Sequence, residues 1–147
     1  MLSERGRLLA AAVDLVSTLA SALGKRFDPL VPIFVPAILK LCQRPNKVVL
    51  TRAQGCLSTV IKQTRLSSIL PFLHENIKDK SATLRIVSSE AIYLCITTIE
   101  TDKLANRVSD IESAIKIAGR DANPEVRRQA RAILTDYGEK FPDRISA

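Results

Sequence analysis

Tryptophan is absent from this 147-residue chain, aromatic residues make up only 4% of it, and there is a single histidine. The shortage of aromatics removes the platforms on which single-stranded nucleic acid stacks. His74 is followed by Glu75, but no second histidine lies one helical turn further on, so the zinc-protease pattern is missing. The sequence predicts a rim or exposed histidine there. The glycines Gly6, Gly24, Gly55, Gly119 and Gly138 stand alone, which excludes a phosphate-cradling loop. Cys42, Cys56 and Cys95 are odd in number, far apart and set in apolar helical patterns. They predict buried free thiols in a reducing compartment, not a zinc site or a disulfide framework. No nucleophile has an obvious base beside it, and carboxylates such as Asp110 and Glu112 are expected on a solvated helix face. The expectation is a protein that is not an enzyme, with no catalytic residues, no cofactor and no metal.

Long uninterrupted apolar runs are also scarce. The longest, Leu8 to Leu23, contains Asp14, Ser17, Thr18 and Ser21 and is read as too short and too polar to span a bilayer. The chain opens on a charged Ser-Glu-Arg-Gly-Arg stretch and not on a signal peptide. What is plentiful is aliphatic: 46% of residues are apolar, with Leu, Ile, Val and Ala dominant, and 25% are charged, ordinary values for a packed domain. The net charge of +7 points to an acidic partner, either nucleic acid, an anionic membrane or an acidic protein surface.

One unit organises the chain. Asp121-Ala122-Asn123-Pro124-Glu125-Val126-Arg127-Arg128-Gln129-Ala130 reads as a tight turn leading into a helix, with Asp121 and Asn123 as caps and Pro124 in the first helical turn. The same frame recurs at Asp79-Lys80-Ser81-Ala82-Thr83-Leu84-Arg85, and more weakly at Arg44-Pro45-Asn46-Lys47-Val48-Val49-Leu50. Aligning Val49, Leu84 and Val126 gives spacings of 84 − 49 = 35 and 126 − 84 = 42 residues. Helical units at that interval predict an all-α fold, an α-solenoid of about three and a half HEAT-type helix pairs in one domain.

In chain order, residues 1–24 predict the second helix of an incomplete repeat, capped by Ser3, ended by Gly24 and apolar almost all round. Such a helix expects neighbours on several sides, so the chain reads as a fragment, or as one that dimerises through this helix. Helix pairs are expected over 28–64, 65–101 and 102–140, followed by a tail at 141–147. Asp28 and Pro29 are expected to start the first pair, and Pro36 to kink or loosen its first helix. Gly138 is expected to stop the last helix, and Phe141-Pro142 to fold the tail back over the last pair.

The turns inside the pairs carry Arg44, Asn46 and Lys47; Lys78 and Lys80; and Arg120, Asn123, Arg127 and Arg128. Stacking would align them along one edge as a positive ridge. Arg85 and Arg127, each placed after an aspartate, also suit a structural Asp–Arg ladder between repeats.

The stretch from Leu23-Gly24-Lys25-Arg26-Phe27-Asp28-Pro29 through Leu41, the closing Gly119–Arg127 segment and Phe141-Pro142 resemble the CLASP family, specifically the C-terminal part of a TOG domain. That resemblance implies HEAT repeats whose basic intra-repeat turns bind tubulin. The contacts it implies are Asn46 and Lys47, then Lys80, then Arg120, Asn123 and Arg127. It further implies a microtubule-stabilising protein of the cytoplasm, the cytoskeleton and the mitotic spindle in cell division. Its partners would be tubulin or microtubules, with other proteins beside them but neither nucleic acid nor membrane. The chain departs from the family pattern in lacking the tryptophan that an earlier turn usually presents to tubulin. The alternative reading is a HEAT-type interaction scaffold that does not itself bind tubulin.

Overall fold

The protein is described from a computed structural model covering residues 3–145. The outermost positions of the predicted first helix unit and of the tail, 1–2 and 146–147, lie outside the described residues. The fold is all-α, a HEAT-like solenoid, and the described residues contain no strand. Helix α1 spans Glu4–Leu23 and a 3-10 segment, Gly24–Leu30, joins it to α2, Val31–Leu41. Then follow α3 (Lys47–Thr64), α4 (Leu70–Asn76), α5 (Ala82–Thr98), the short α6 (Thr101–Leu104), α7 (Val108–Gly119), α8 (Pro124–Lys140) and α9 (Pro142–Ile145).

Local chemistry explains most boundaries. Ser3 caps α1 by accepting from the Gly6 amide at 3.0 Å. Asn46 accepts from Val48 and Val49, Ser81 from Leu84, and Asn123 from Glu125 and Val126. These three caps satisfy amides that have no partner inside the helix. They recur at 81 − 46 = 35 and 123 − 81 = 42 residues, the period of the sequence unit. Pro36 lies inside α2 without ending it.

Three expectations are corrected. Asp28 does not cap a helix: the chain from Gly24 to Leu30 is already 3-10 helical, and the Asp28 carboxylate instead accepts from the Ser68 hydroxyl at 2.5 Å. Gly138 does not stop α8, which runs on to Lys140; Ile145 Cγ1 lies 3.3 Å from where a Cβ at 138 would stand. The glycine there makes room for the returning tail. Finally, the helical run Glu4–Leu41 is, by length and composition alone, apolar enough to cross a membrane, more so than its sequence pattern suggests. Its inward residues, among them Val13, Ala20, Phe27, Val31, Val35 and Leu39, nevertheless belong to the same buried cluster as α3, α5 and α8.

The pairs α2–α3, α4–α5 and α7–α8 pack internally, while α1, α3, α5 and α8 pack side by side. The direction of these four helices follows from their registers. Gly6 and Leu9 line a groove with Val48 and Val49, and further along Val13 meets Cys56. Gln54, Leu57 and Ser58 line one groove with Val87, Glu90 and Ala91. Arg85 meets Asp121, and Lys140 reaches the carbonyl of Ile96. Residue numbers rise together in every pairing, so the four helices are parallel. Their carboxyl ends meet too: Lys25 donates to the Arg65 carbonyl at 2.8 Å and pairs with Glu100 at 3.5 Å.

Two glycines test this backbone. An added Cβ at Gly55, inside α3, meets nothing within 4 Å, whereas Gly24 holds φ +53° and ψ −124°. Gly55→Ala is expected to stabilise the fold by about 1 kcal/mol. Gly24→Ala is expected to destabilise it by about 1–3 kcal/mol. Chemical denaturation of both variants checks the pair of signs.

Candidate functional site: a basic rim of helix turns

Parallel packing sets the amino-terminal ends of α1, α3, α5 and α8 along one edge. Each end carries the partial positive charge of its unpaired amides. Arg44, Lys47, Lys78, Lys80 and Arg120 are exposed in the turns at this edge. Arg5, near the start of α1, lines a groove with Arg44, Pro45 and Asn46 and extends the rim by one helix. Sequence reasoning passed over Arg5 because no turn precedes it; its spacing of four decades from Asn46 was the available signal. The carboxyl ends of α2, α4 and α7 enter the same turns and offset these amide ends, so the excess of exposed cations sets the sign of the edge.

The turns are not equally braced. In the second, Asp79 accepts from the Ser81 amide at 2.8 Å; in the third, Asp121 accepts from the Asn123 amide at 2.8 Å. Arg85 joins the two. Its Nη1 donates to the carbonyls of Asp79 and Lys80 at 3.0 and 3.1 Å, while Nε and Nη2 clasp the Asp121 carboxylate at 2.8 and 3.3 Å. The ladder expected from the sequence thus runs forward, from Arg85 to the following repeat, and Asp79 supplies its carbonyl to Arg85. Burial pushes the Asp121 carboxyl up, but the Arg85 and Asn123 hydrogen bonds and the nearby guanidinium charges leave it below its ordinary value. The first turn has Arg44 where the others have aspartate, and α3 has Leu50 where α5 has Arg85. Its joint to the second turn therefore rests on α3–α5 packing.

The candidate residues fall into two groups. Lys47, Lys80 and Arg120 are exposed at the rim with their side chains free of ion pairs among the described residues. Asn46 and Asn123 use their side-chain oxygens as helix caps, and Arg127 donates from Nη1 to the carbonyls of Asp121 and Ala122 at 2.8 and 2.9 Å. Arg128 is paired with Glu125 within its own helix.

Away from the rim, two polar positions differ from expectation. His74 is half-buried, with Nε2 2.9 Å from the Ser113 hydroxyl and Nδ1 3.8 Å from Asp110. It links α4 to α7, because its place in the last turn of α4 faces α7. Glu112 is not a solvated carboxylate: the Tyr137 hydroxyl and Arg144 both donate to it. With Arg144 on Glu112 of α7 and Ile145 against Gly138 of α8, the tail does fold back on α7 and α8. Arg144 first, then Tyr137, holds the Glu112 carboxyl down to about 2. The three cysteines are free and buried, and burial pushes the Cys42 thiol up to about 12 and that of Cys95 higher still. Among the described residues no group of acidic, histidine and cysteine side chains is placed to hold a metal.

Against known proteins, the chain matches the family described as CLASP N terminal over residues 1–147. It is 27% identical over 137 residues to CLIP-associating protein 1 of Xenopus tropicalis, covering 93% of this chain and 9% of that protein. It is 28% identical over 147 residues to Protein peg1 of Schizosaccharomyces pombe, covering 97% of this chain and 10% of that protein. Protein stu-1 of Neurospora crassa is 28% identical over 151 residues, with 98% and 13% covered. The chain spans about a tenth of the length of these curated relatives.

Two outcomes follow from the site's bonds. Arg85→Gln strands the Asp121 carboxylate and should lower stability by about 2 kcal/mol, the scale of a hydrogen bond to a charged group; Lys80→Gln should not, and denaturant titration compares them. Because the folded Glu112 value lies below the ordinary 4.5, its contribution is present above pH about 5 and is lost as pH falls towards about 2. Glu112→Gln should therefore melt below wild type at pH 7, with the difference closing across that window.

Proposed function

This chain belongs to the CLASP family, and on that premise we propose that it is a microtubule-associated binding module, not an enzyme, which contacts tubulin through the basic rim. Lys47, Lys80 and Arg120 are the contact side chains, and Asn46, Asn123 and Arg127 hold the turns that present them. The observation that carries this reading is the shared edge: parallel helix ends and exposed cations from three turns about forty residues apart lie on one side of the array. Tubulin's surface is acidic, so the interaction would be electrostatic and weakened by salt. Such a module belongs with the cytoskeleton, at microtubules and the spindle.

A second reading has its own observation. Leu9, Leu15, Val16, Leu19, Phe34 and Leu41 line a nearly all-apolar groove between α1 and α2, and Leu15 is 59% exposed. A groove of that kind suits a HEAT-type scaffold that binds another protein helix without touching tubulin.

Co-sedimentation with microtubules separates the two. The Lys47→Glu/Lys80→Glu/Arg120→Glu variant should lose binding at least about tenfold at physiological salt, and wild-type binding should fall as salt rises. Undiminished binding by the triple variant would overturn the rim reading and favour the scaffold.

A further inference from the structure

We infer that α9 is a releasable strap over the α7–α8 end of the array, with Ile145 as its plug and the Arg144–Glu112 pair as its latch. While the strap is closed, no further helix can stack on α8 at that point.

The plug follows from the repeat. The caps Ser81 and Asn123 set a frame of 123 − 81 = 42 residues between α5 and α8, which puts Gly138 where α5 has Ile96. Ile96 is fully buried, and Lys140 of α8 reaches its carbonyl. At that place in the frame α8 has no side chain. Ile145 returns one from outside the helix, with Cγ1 3.3 Å and Cδ1 3.9 Å from where a Cβ at 138 would stand. An isoleucine carried on a tail can withdraw, whereas one built into the helix cannot.

The latch gathers three helices on one carboxylate. Arg144 donates from Nε and Nη2 to the two oxygens of Glu112 on α7, the second at 3.0 Å, and the Tyr137 hydroxyl of α8 donates there as well. The side chains of the Arg85–Asp121 clasp are only 19% and 7% exposed, but those of Arg144 and Glu112 are 49% and 28% exposed. Water and salt therefore reach the latch and weaken it. Nothing inside α9 compensates. Its four residues are too few to hold a helix on their own, and the Arg144 amide is tied back only to the Phe141 carbonyl just before it, at 3.1 Å. The core beneath is built without the strap, from Ile111 and Ala114 of α7 against Ala130 and Ile133 of α8.

Backbone relaxation and methyl NOEs on the full chain test this. In wild type the amides of Asp143 to Ile145 should have order parameters of about 0.85, and an NOE should join the Ile145 δ1 methyl to Gly138. Arg144→Glu sets two carboxylates against each other. It should lose the NOE and bring the order parameters below about 0.6, while the resonances of α1 to α5 stay in place. Glu112→Arg/Arg144→Glu re-forms the pair in reverse and should restore both readings. Gly138→Ile keeps the latch but fills the socket, and it should also free the strap. Order retained in Arg144→Glu would overturn the latch, and order retained in Gly138→Ile would overturn the plug. A charge swap that restores nothing, or a freed strap that takes the resonances of α1 to α5 with it, would make the tail an integral part of the fold and sink the inference.

Discussion

A single guanidinium governs the geometry of this solenoid. Arg85 holds two carbonyls of its own turn and the carboxylate of the next, so turn shape and repeat spacing are fixed by one side chain. Apolar packing between α5 and α8 supplies more free energy than this clasp, but it is non-directional and tolerates sliding. The clasp is directional. It stops α8 from sliding along α5 and keeps Lys80 and Arg120 on the same edge. Where the sequence replaces Arg with Leu50 and Asp with Arg44, that constraint is gone, and the first turn is positioned by side-chain packing between α3 and α5.

The parallel arrangement has an electrostatic consequence that no single turn shows. Four helices place their amide ends on one edge against the three carboxyl ends of α2, α4 and α7, and the basic turns lie at the same edge. At the opposite edge the helix carboxyl ends are tied by Lys25, which bridges the Arg65 carbonyl and Glu100. A cation placed there is consumed by structure, since it satisfies carbonyls that helix termini leave open. At the amino-terminal edge Arg85 and Arg127 take the turn carbonyls, and the side chains of Lys47, Lys80 and Arg120 are left free of ion pairs among the described residues. This asymmetry separates structural from available charge.

Much of the fold was legible in the residues, and the reasons are local. The caps Ser3 and Asn123 can be read because capping depends on one side chain and the two or three residues after it, and the structure adds Asn46 and Ser81 in the same frame. The 35- and 42-residue intervals between caps then impose the repeat. Asp28-Pro29 misled because the same pair suits a helix start and a 3-10 turn, and tertiary position decided between them. Gly138 misled because its reason, the close approach of Ile145, comes from a tail that folds back from outside the helix. Of the candidate site, the shared edge was legible from periodicity. The division of labour within it was not: that Arg127 is half committed to its own turn, and that Arg85 reaches forward to Asp121, depends on three-dimensional register.

The central claim, that the first and third basic turns stand on one edge, is a statement about distance. Spin labels at Lys47→Cys and Arg120→Cys measure it, since the native thiols are buried and resist labelling. Two helix spacings of about 8–10 Å each place the backbones of these positions roughly 20 Å apart. A dipolar distance near that value, after allowance for the label arms, is the expected result. A distance well beyond about 30 Å, which is the diagonal to the far edge of helices as long as α3, would mean the turns lie on different edges and would contradict the account.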